Sequence, residues 1–468
     1  MSRAITSTTN KTVTNPTSTE SVGLYQMFIL GNITTKLSLI ILGLGNFIHG
    51  QLVRGLIFLG IELSYITFML TKGQMAISNF ISLGTKEQEE VFNETKQIYE
   101  YVLGDNSMLS LLYGVITLFV TIGFMMLMVS SLRSAYTSQK RKELGKPINS
   151  FRDDLSSLKE ENLHKTLLFL PIMGIVCFTI IPLVYMILIA FTNFDKDHQP
   201  PGNLFDWVGF KNFQAMFEQG GVLANTFWPV LQWTFIWATI ATFSCFILGT
   251  LLAMLINRKG TKYKKFWRFI FVLSIALPQF VTLLTMRTMF NTNGPVNAML
   301  RAMNVIGATT SIPFLTDPTL AKITILCVNV WIGVPFTMLS TTGILQNIPK
   351  ELYEAAKVDG ANAFVTFFKI TLPYLLFVMT PMLITTFVGN INNFNVIYLL
   401  TGGAPESLDY YYAGKTDLLV TWLYKLTITN KDYNIGAVIG IIVFVILATL
   451  SLLTYRRTKS YNDEEVFQ

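Results

Sequence analysis

Apolar residues in this chain gather in runs of about twenty, the length at which an α-helix crosses the hydrocarbon core of a bilayer. Such runs fall at 52–70, 109–129, 166–191, 230–256, 269–290, 321–345, 374–400 and 435–455. Eight spanning helices are therefore predicted, each read as continuous, in an all-α polytopic membrane protein. Ahead of them, residues 37–45 are apolar but too short to span, and Gly43, Gly45 and Gly50 predict a re-entrant or interfacial hairpin within 26–50. The first 24 residues are rich in Ser, Thr and Asn. They lack the apolar core and cleavage site of a signal peptide and read as a disordered cytoplasmic tail.

Charge then orients the spans. Arg133, Lys140, Arg141, Lys142, Lys146, Arg152, Lys159 and Lys165 crowd one connector, and Arg258, Lys259, Lys262, Lys264, Lys265 and Arg268 crowd another. The positive-inside rule places both in the cytoplasm. The intervening connectors carry fewer basic residues and more acids, which faces them outward. An even number of spans puts both termini inside, in agreement with Arg456, Arg457 and Lys459 after the last run. The expected organisation is a tail and hairpin over 1–50, a two-span region with a charged cytoplasmic linker over 51–165, a six-span core over 166–456 and a cytoplasmic tail over 457–468. Composition agrees: of 468 residues 51% are hydrophobic and only 13% charged, with a net charge of +7. That excludes an ordinary soluble fold, and the placement of the basic residues accounts for them without a nucleic-acid partner.

Most polar features have a plain reading. Cys177, Cys245 and Cys327 lie singly inside apolar runs, and His49, His164 and His198 are scattered, so neither a disulfide framework nor a metal site is predicted. Arg54 and Glu62, near or within the first span, read as a snorkelling residue and an internally paired one. Asp153 and Asp154 read as solvated. The tyrosines 410–412, with Trp422 and Tyr424 in the outward stretch 401–432, read as interfacial anchors. Ala413-Gly414-Lys415-Thr416 looks like the end of a phosphate-binding loop, but Asp409 stands where its earlier glycine belongs.

The most informative segment runs from Glu354 to Pro373 between the sixth and seventh spans, EAAKVDGANAFVTFFKITLP. It predicts a short helix over 350–358, a break at Gly360, and a second amphipathic segment with Phe364, Phe367 and Phe368 on one face. Pro373 suits the first turn of the following span. This segment resembles the EAA loop of binding-protein-dependent ABC importer permeases. Glu354, Ala355, Ala356, Asp359, Gly360, Ile370, Leu372 and Pro373 occupy the motif positions. The resemblance implies a coupling helix that sits in a cleft of a partner ATPase.

From Leu167 to Tyr455 the order of features is similar to the larger-subunit kind of maltose-type sugar permease, about 60% of the chain. That family implies the type I ABC importer permease fold, a six-helix core with an N-terminal two-helix addition, in a multi-pass plasma-membrane protein. It also implies a second permease subunit, two copies of a cytoplasmic ABC ATPase, an extracellular solute-binding protein and a maltose or maltodextrin-type sugar. ATP and magnesium would be bound by the ATPases, with no cofactor on this chain. The stretch 192–228 is too short for the large extracytoplasmic domain of Gram-negative relatives, so the compact Gram-positive form is the better comparison.

Thr386, Asn390 and Asn393 recur at i, i+4 and i+7, one face of the predicted seventh span. Such a stripe serves either hydrogen bonding between helices or a path for an uncharged polyol. The family resemblance implies a substrate path at Gln279, Gly333, Phe336, Thr386, Asn390 and Asn393, although Gln279 and Phe336 depart from the family's usual serine and tyrosine. Pro278 and Pro335 beside these positions would either shape a cavity or act as hinges. Two other classes fit less well. An ion-coupled secondary transporter would need titratable groups at midplane, where these spans offer neutral amides. A membrane glycosyltransferase would need a carboxylate or metal constellation at one membrane face. An ABC permease for a different small solute remains the nearer alternative.

Overall fold

The computed structural model describes residues 23–258 and 260–456. The expected tails over 1–22 and 457–468, and Lys259, lie outside the described residues.

The chain divides into two compact units, one over 1–185 with 200–204, the other over 186–199 and 205–468. The division falls within the third span.

The first unit begins with three short helices, α1 (Leu24–Leu30), α2 (Ile33–Leu37) and α3 (Leu44–Ile48). Then come α4 (Leu52–Ser82), strands β1 (Glu89–Asn93) and β2 (Ile98–Val102), α5 (Ser107–Glu143), α6 (Phe151–Ser157) and α7 (Leu163–Ile189). Instead of a two-legged hairpin, residues 26–50 form helical turns braced against α5 by polar groups. The Gln139 carboxamide oxygen accepts from the Thr35 hydroxyl (2.7 Å) and the Asn32 N–H (2.9 Å), and Ser131 accepts from the Gly43 N–H. Gly43 takes φ +80°, which only glycine adopts readily, and a side chain at Gly45 would meet Ala135 at 2.5 Å.

Arg54 and Glu62 serve different partners. Arg54 pairs with Asp154 at 2.7 Å, while the buried Glu62 carboxylate accepts the Leu42 N–H at 2.8 Å. Asp153, in turn, closes a capping box with Ser150 at the start of α6. The acidic pair of the linker is thus structural. The β1–β2 hairpin escaped the sequence reading: Val91, Phe92, Ile98, Tyr99 and Tyr101 have strand propensity, but their order shows no period of two.

The second unit adds α8 (Lys211–Phe217), α9 (Val222–Asn257), α10 (Lys264–Ala276), α11 (Gln279–Met289), α12 (Pro295–Ala302) and α13 (Pro318–Asn347). After them come α14 (Lys350–Val358), α15 (Ala363–Leu400), α16 (Leu419–Tyr424) and α17 (Tyr433–Arg456). Among the described residues seven helices are long and apolar enough to cross a membrane, and the bent pair α10 and α11, taken as one span, makes an eighth. The fifth span is therefore broken, not continuous: its halves meet at 88°. Pro278 has no N–H to donate and pushes Leu277 into extended backbone (ψ 136°), so the helix stops and restarts at Gln279.

Helices α9 and α13 pack along much of their length through small residues, since a Cβ at Gly249 would meet Thr337 at 2.6 Å. Trp237, Leu283, Ile325, Ile397 and Leu418 close the core around them. Of the three cysteines, each expected in the core from its apolar run, Cys245 is buried there, whereas Cys177 and Cys327 are exposed.

The 401–432 stretch is a folded cap, not a belt of anchors. Trp422 is fully buried, its indole N–H donating to the Tyr411 carbonyl at 2.7 Å, and the Tyr411 hydroxyl donates to Asp432 at 2.8 Å. Burial pushes the Asp432 carboxyl above its usual range, opposed by the Tyr411 hydrogen bond. The Gly414-Lys415-Thr416 turn belongs to this cap: Gly414 donates to Asp417 and Thr416 to the Ala404 carbonyl.

Candidate translocation cavity and coupling helix

Five of the six residues expected along a substrate path come together. Gln279 at the start of α11, Gly333 and Phe336 of α13, and Thr386 and Asn390 of α15 line one cavity of about 510 Å³. The break at Pro278 makes this possible, because it turns the Gln279 end of α11 toward the middle of the bundle. Gly333 leaves room for Cys245: a Cβ there would lie 2.6 Å from the sulfur and would displace it.

Asn393 is absent from the cavity wall, and the expected i, i+4, i+7 face does not continue through it. Regular helix ends at Ile391 and restarts at Phe394, and the Asn393 side chain accepts the Val396 N–H at 3.2 Å as a cap. Its amide also reaches Asn390 at 3.4 Å. Asn390 is itself tied down, its side-chain amide donating to the Thr242 hydroxyl at 2.9 Å while its main-chain carbonyl accepts from the Trp237 indole. A carboxamide has two donors and two acceptor lone pairs, so Asn390 keeps capacity for a further partner.

The cavity also holds polar residues that the sequence reading passed over: Ser274, Thr282, Asn329 and Thr337. Asn329 lies four residues before Gly333, so helical periodicity alone would have put it on that face. Thr282 is buried, and its hydroxyl has no hydrogen-bond partner among the described residues. Ser274 lies across the helix break, where periodicity carries no information. The wall is thus neutral and mixed, with amides and hydroxyls beside Phe336, Ile332 and Met382.

At the far end of α13 stands the short helix α14. Its termination is a Schellman turn: Gly360 takes φ +76°, the Ala361 N–H donates to the Ala356 carbonyl at 2.9 Å, and the Gly360 N–H to Lys357 at 3.1 Å. The alanine and glycine of the motif are therefore two parts of one turn. Glu354, Ala355, Asp359 and Gly360 are exposed, while Ala356, Ile370 and Leu372 are half-buried. Leu352, Val358 and Phe364 present apolar surface, with Val358 87% and Phe364 70% exposed. A patch of this kind on a projecting knob marks an interaction surface.

The segment after Gly360 is not a separate second helix. Asn362 caps it by accepting the Val365 N–H, and it runs without interruption into the seventh span. Pro373 stands, as expected, in the first turn of the regular α-helix that begins at Leu372. The preceding turn, 367–371, is widened to π-helix, which accommodates the missing donor.

The model of the family described as "binding-protein-dependent transport system inner membrane component" matches residues 245–458, which include α14 and all of the cavity lining but Ala241. The galactooligosaccharides transport system permease protein of Bacillus subtilis is 35% identical over 427 residues, 91% of this chain and 97% of that one. This chain belongs to the binding-protein-dependent transport system inner membrane component family. The permease is also 35% identical to the maltodextrin transport system permease protein of Streptococcus pneumoniae, over 91% of this chain and 96% of that one. Against the maltose/maltodextrin permease protein of Escherichia coli it is 34% identical over 60% of its own length and 54% of that longer protein. Among solved structures, a bacterial ABC transporter involved in the import of the acidic polysaccharide alginate shares the fold, with a TM-score of 0.54 at 22% identity over 65% of this chain and 98% of that one.

Proposed function

We propose that this permease is one half of the membrane channel of an ATP-driven importer for a neutral oligosaccharide of the maltodextrin kind. The observation that carries the reading is the cavity bounded by Gln279, Asn329, Gly333, Phe336, Thr386 and Asn390. Amides and hydroxyls match sugar hydroxyls, an aromatic ring packs on a sugar's apolar face, and the lining residues are uncharged. Relatives named for maltodextrin and galactooligosaccharide transport support the same substrate class. Gln279 is exposed and Phe336 56% exposed in the single chain, so the cavity is a half-shell that a second permease subunit would close.

The chain is a transport subunit, and we assign ATP and magnesium to two partner ATPases. The Lys-rich connectors orient α14 into the cytoplasm with both termini, where Leu352, Val358 and Phe364 would seat in an ATPase cleft. Closure of the ATPases on ATP would move α14, and the continuous helix from Ala363 to the cavity wall would carry that movement to Thr386 and Asn390. The cavity would then open alternately to an outside solute-binding protein and to the cytoplasm. A plasma-membrane location in a Gram-positive cell fits the relatives that this chain spans almost completely.

Reconstitution with the partner permease and ATPase tests the reading. ATP hydrolysis should rise several-fold on adding maltodextrin-loaded solute-binding protein; an importer that assembles but shows no such stimulation would contradict it.

A further inference from the structure

A second, smaller cleft lies at the opposite end of α13 from the coupling helix. Its volume is about 290 Å³, and its wall includes Trp233 of α9, Lys322 of α13, and Tyr410, Lys415 and Asp417 of the cap. Lys322 is in the first turns of α13, whereas α14 follows its last turn. At 1.5 Å per residue the two ends stand roughly 40 Å apart.

The chemistry of this cleft is unlike that of the neutral cavity. Each ammonium rests on an aromatic face, Lys322 4.5 Å from the Trp233 ring centroid and Lys415 3.7 Å from that of Tyr410. A ring face attracts a cation but leaves N–H donors unused. Neither lysine is in an ion pair among the described residues. The carboxylate in the wall, Asp417, is held through one oxygen, by Lys425 at 2.6 Å and by the Gly414 N–H at 2.7 Å, while its other oxygen is buried and accepts no hydrogen bond among the described residues. Two half-buried cations in one small cleft repel each other, and their surroundings are partly dehydrated. A single anion entering between them would relieve that repulsion and take up the unused donors.

We propose that the Lys322–Lys415 cleft is the socket for an acidic side chain of the solute-binding protein that docks on this face. The inference rests on the importer reading above, which turns this end outward. Charge complementarity selects a carboxylate, and the size of the cleft suits one side chain better than a multi-ring sugar. Trp233 and Tyr410 hold the ammoniums in place beforehand, so docking orders little that is not already ordered.

The test uses the complete reconstituted importer and the solute-binding protein that stimulates its ATP hydrolysis. The double variant Lys322→Gln/Lys415→Gln should raise the half-saturating concentration of binding protein about tenfold. It should also flatten the dependence of that concentration on NaCl, because two screened attractions are gone. Lys322→Arg/Lys415→Arg, which keeps both charges, should stay within about twofold of the parent, and co-purification of all subunits reports assembly. An unchanged half-saturating concentration in the Gln variant would overturn the socket, as would an effect confined to uptake of an anionic solute. Absence of stimulation in the unaltered importer would instead overturn the importer reading itself.

Discussion

The Tyr353 hydroxyl of α14 lies 3.1 Å from the Thr371 hydroxyl of α15, joining the projecting helix to the foot of the seventh span. Thr371 is buried and follows directly on the exposed face of Phe364 and Phe368. A push on α14 therefore has a defined route into the helix that ends at the cavity. Tyr353→Phe removes one hydrogen bond and should cost about 1 kcal/mol of local stability. Its expected signature is more ATP hydrolysed per sugar transported, read by measuring both fluxes in the same proteoliposomes; an unchanged ratio would separate this contact from coupling.

Gly360 makes a sharper demand. At φ +76° an L side chain is strained, by about 1–2 kcal/mol, and proline cannot adopt the angle at all. Gly360→Ala should weaken coupling moderately and Gly360→Pro should abolish stimulated hydrolysis while the complex still co-purifies. Equal, near-parental coupling in both variants would count against the turn.

Asn390 and Asn393 separate by experiment. Asn393→Leu removes the cap on Val396 and should lower the melting temperature of the complex, by the equivalent of about 1 kcal/mol, whereas Asn393→Asp keeps the cap and should retain uptake. Asn390→Leu leaves that cap untouched and should abolish uptake in an assembled complex, because the cavity loses one of its three amides. Matching phenotypes for Asn390→Leu and Asn393→Leu would mean that both amides are structural.

Much of this architecture was legible in the chain. The eight apolar runs, the 350–358 helix and the turn at Gly360 follow from hydropathy, composition and one glycine. Five path residues converge on one cavity, yet the sixth does not, because the i, i+4, i+7 pattern assumed an unbroken helix. Nothing in the alternation of residues announces that Asn393 would cap a restarted helix. The break at Pro278 was visible as a proline, but its 88° bend depends on what α11 packs against. The cap over 401–432 was misread for a related reason. Tyrosine and tryptophan near a span end look alike whether they meet lipid headgroups or, as with Trp422 and Tyr411, each other and Asp432.

Within that cap, Lys425 compensates a buried carboxylate. Burial raises the Asp417 pKa above its ordinary value and Lys425 opposes the rise. A folded-state pKa above the unfolded one makes the ionised form a destabilising burden that grows as pH rises from about 4 through the folded value. Lys425→Met should therefore destabilise the complex by about 3–5 kcal/mol near neutral pH, and by less on acidification as Asp417 takes a proton. Melting temperatures of parent and variant at pH 7.5 and pH 5 check this; a deficit that widens at pH 5 would have the wrong sign.

The central claim is ATP-driven uptake of a neutral oligosaccharide through a cavity of amides and hydroxyls. It is tested most directly by labelled maltodextrin uptake into proteoliposomes of the complete importer, with solute-binding protein outside and ATP trapped within. Accumulation that requires both ATP and binding protein, and that Asn390→Leu abolishes, is the result expected. Accumulation driven by an imposed proton or sodium gradient without ATP would contradict it.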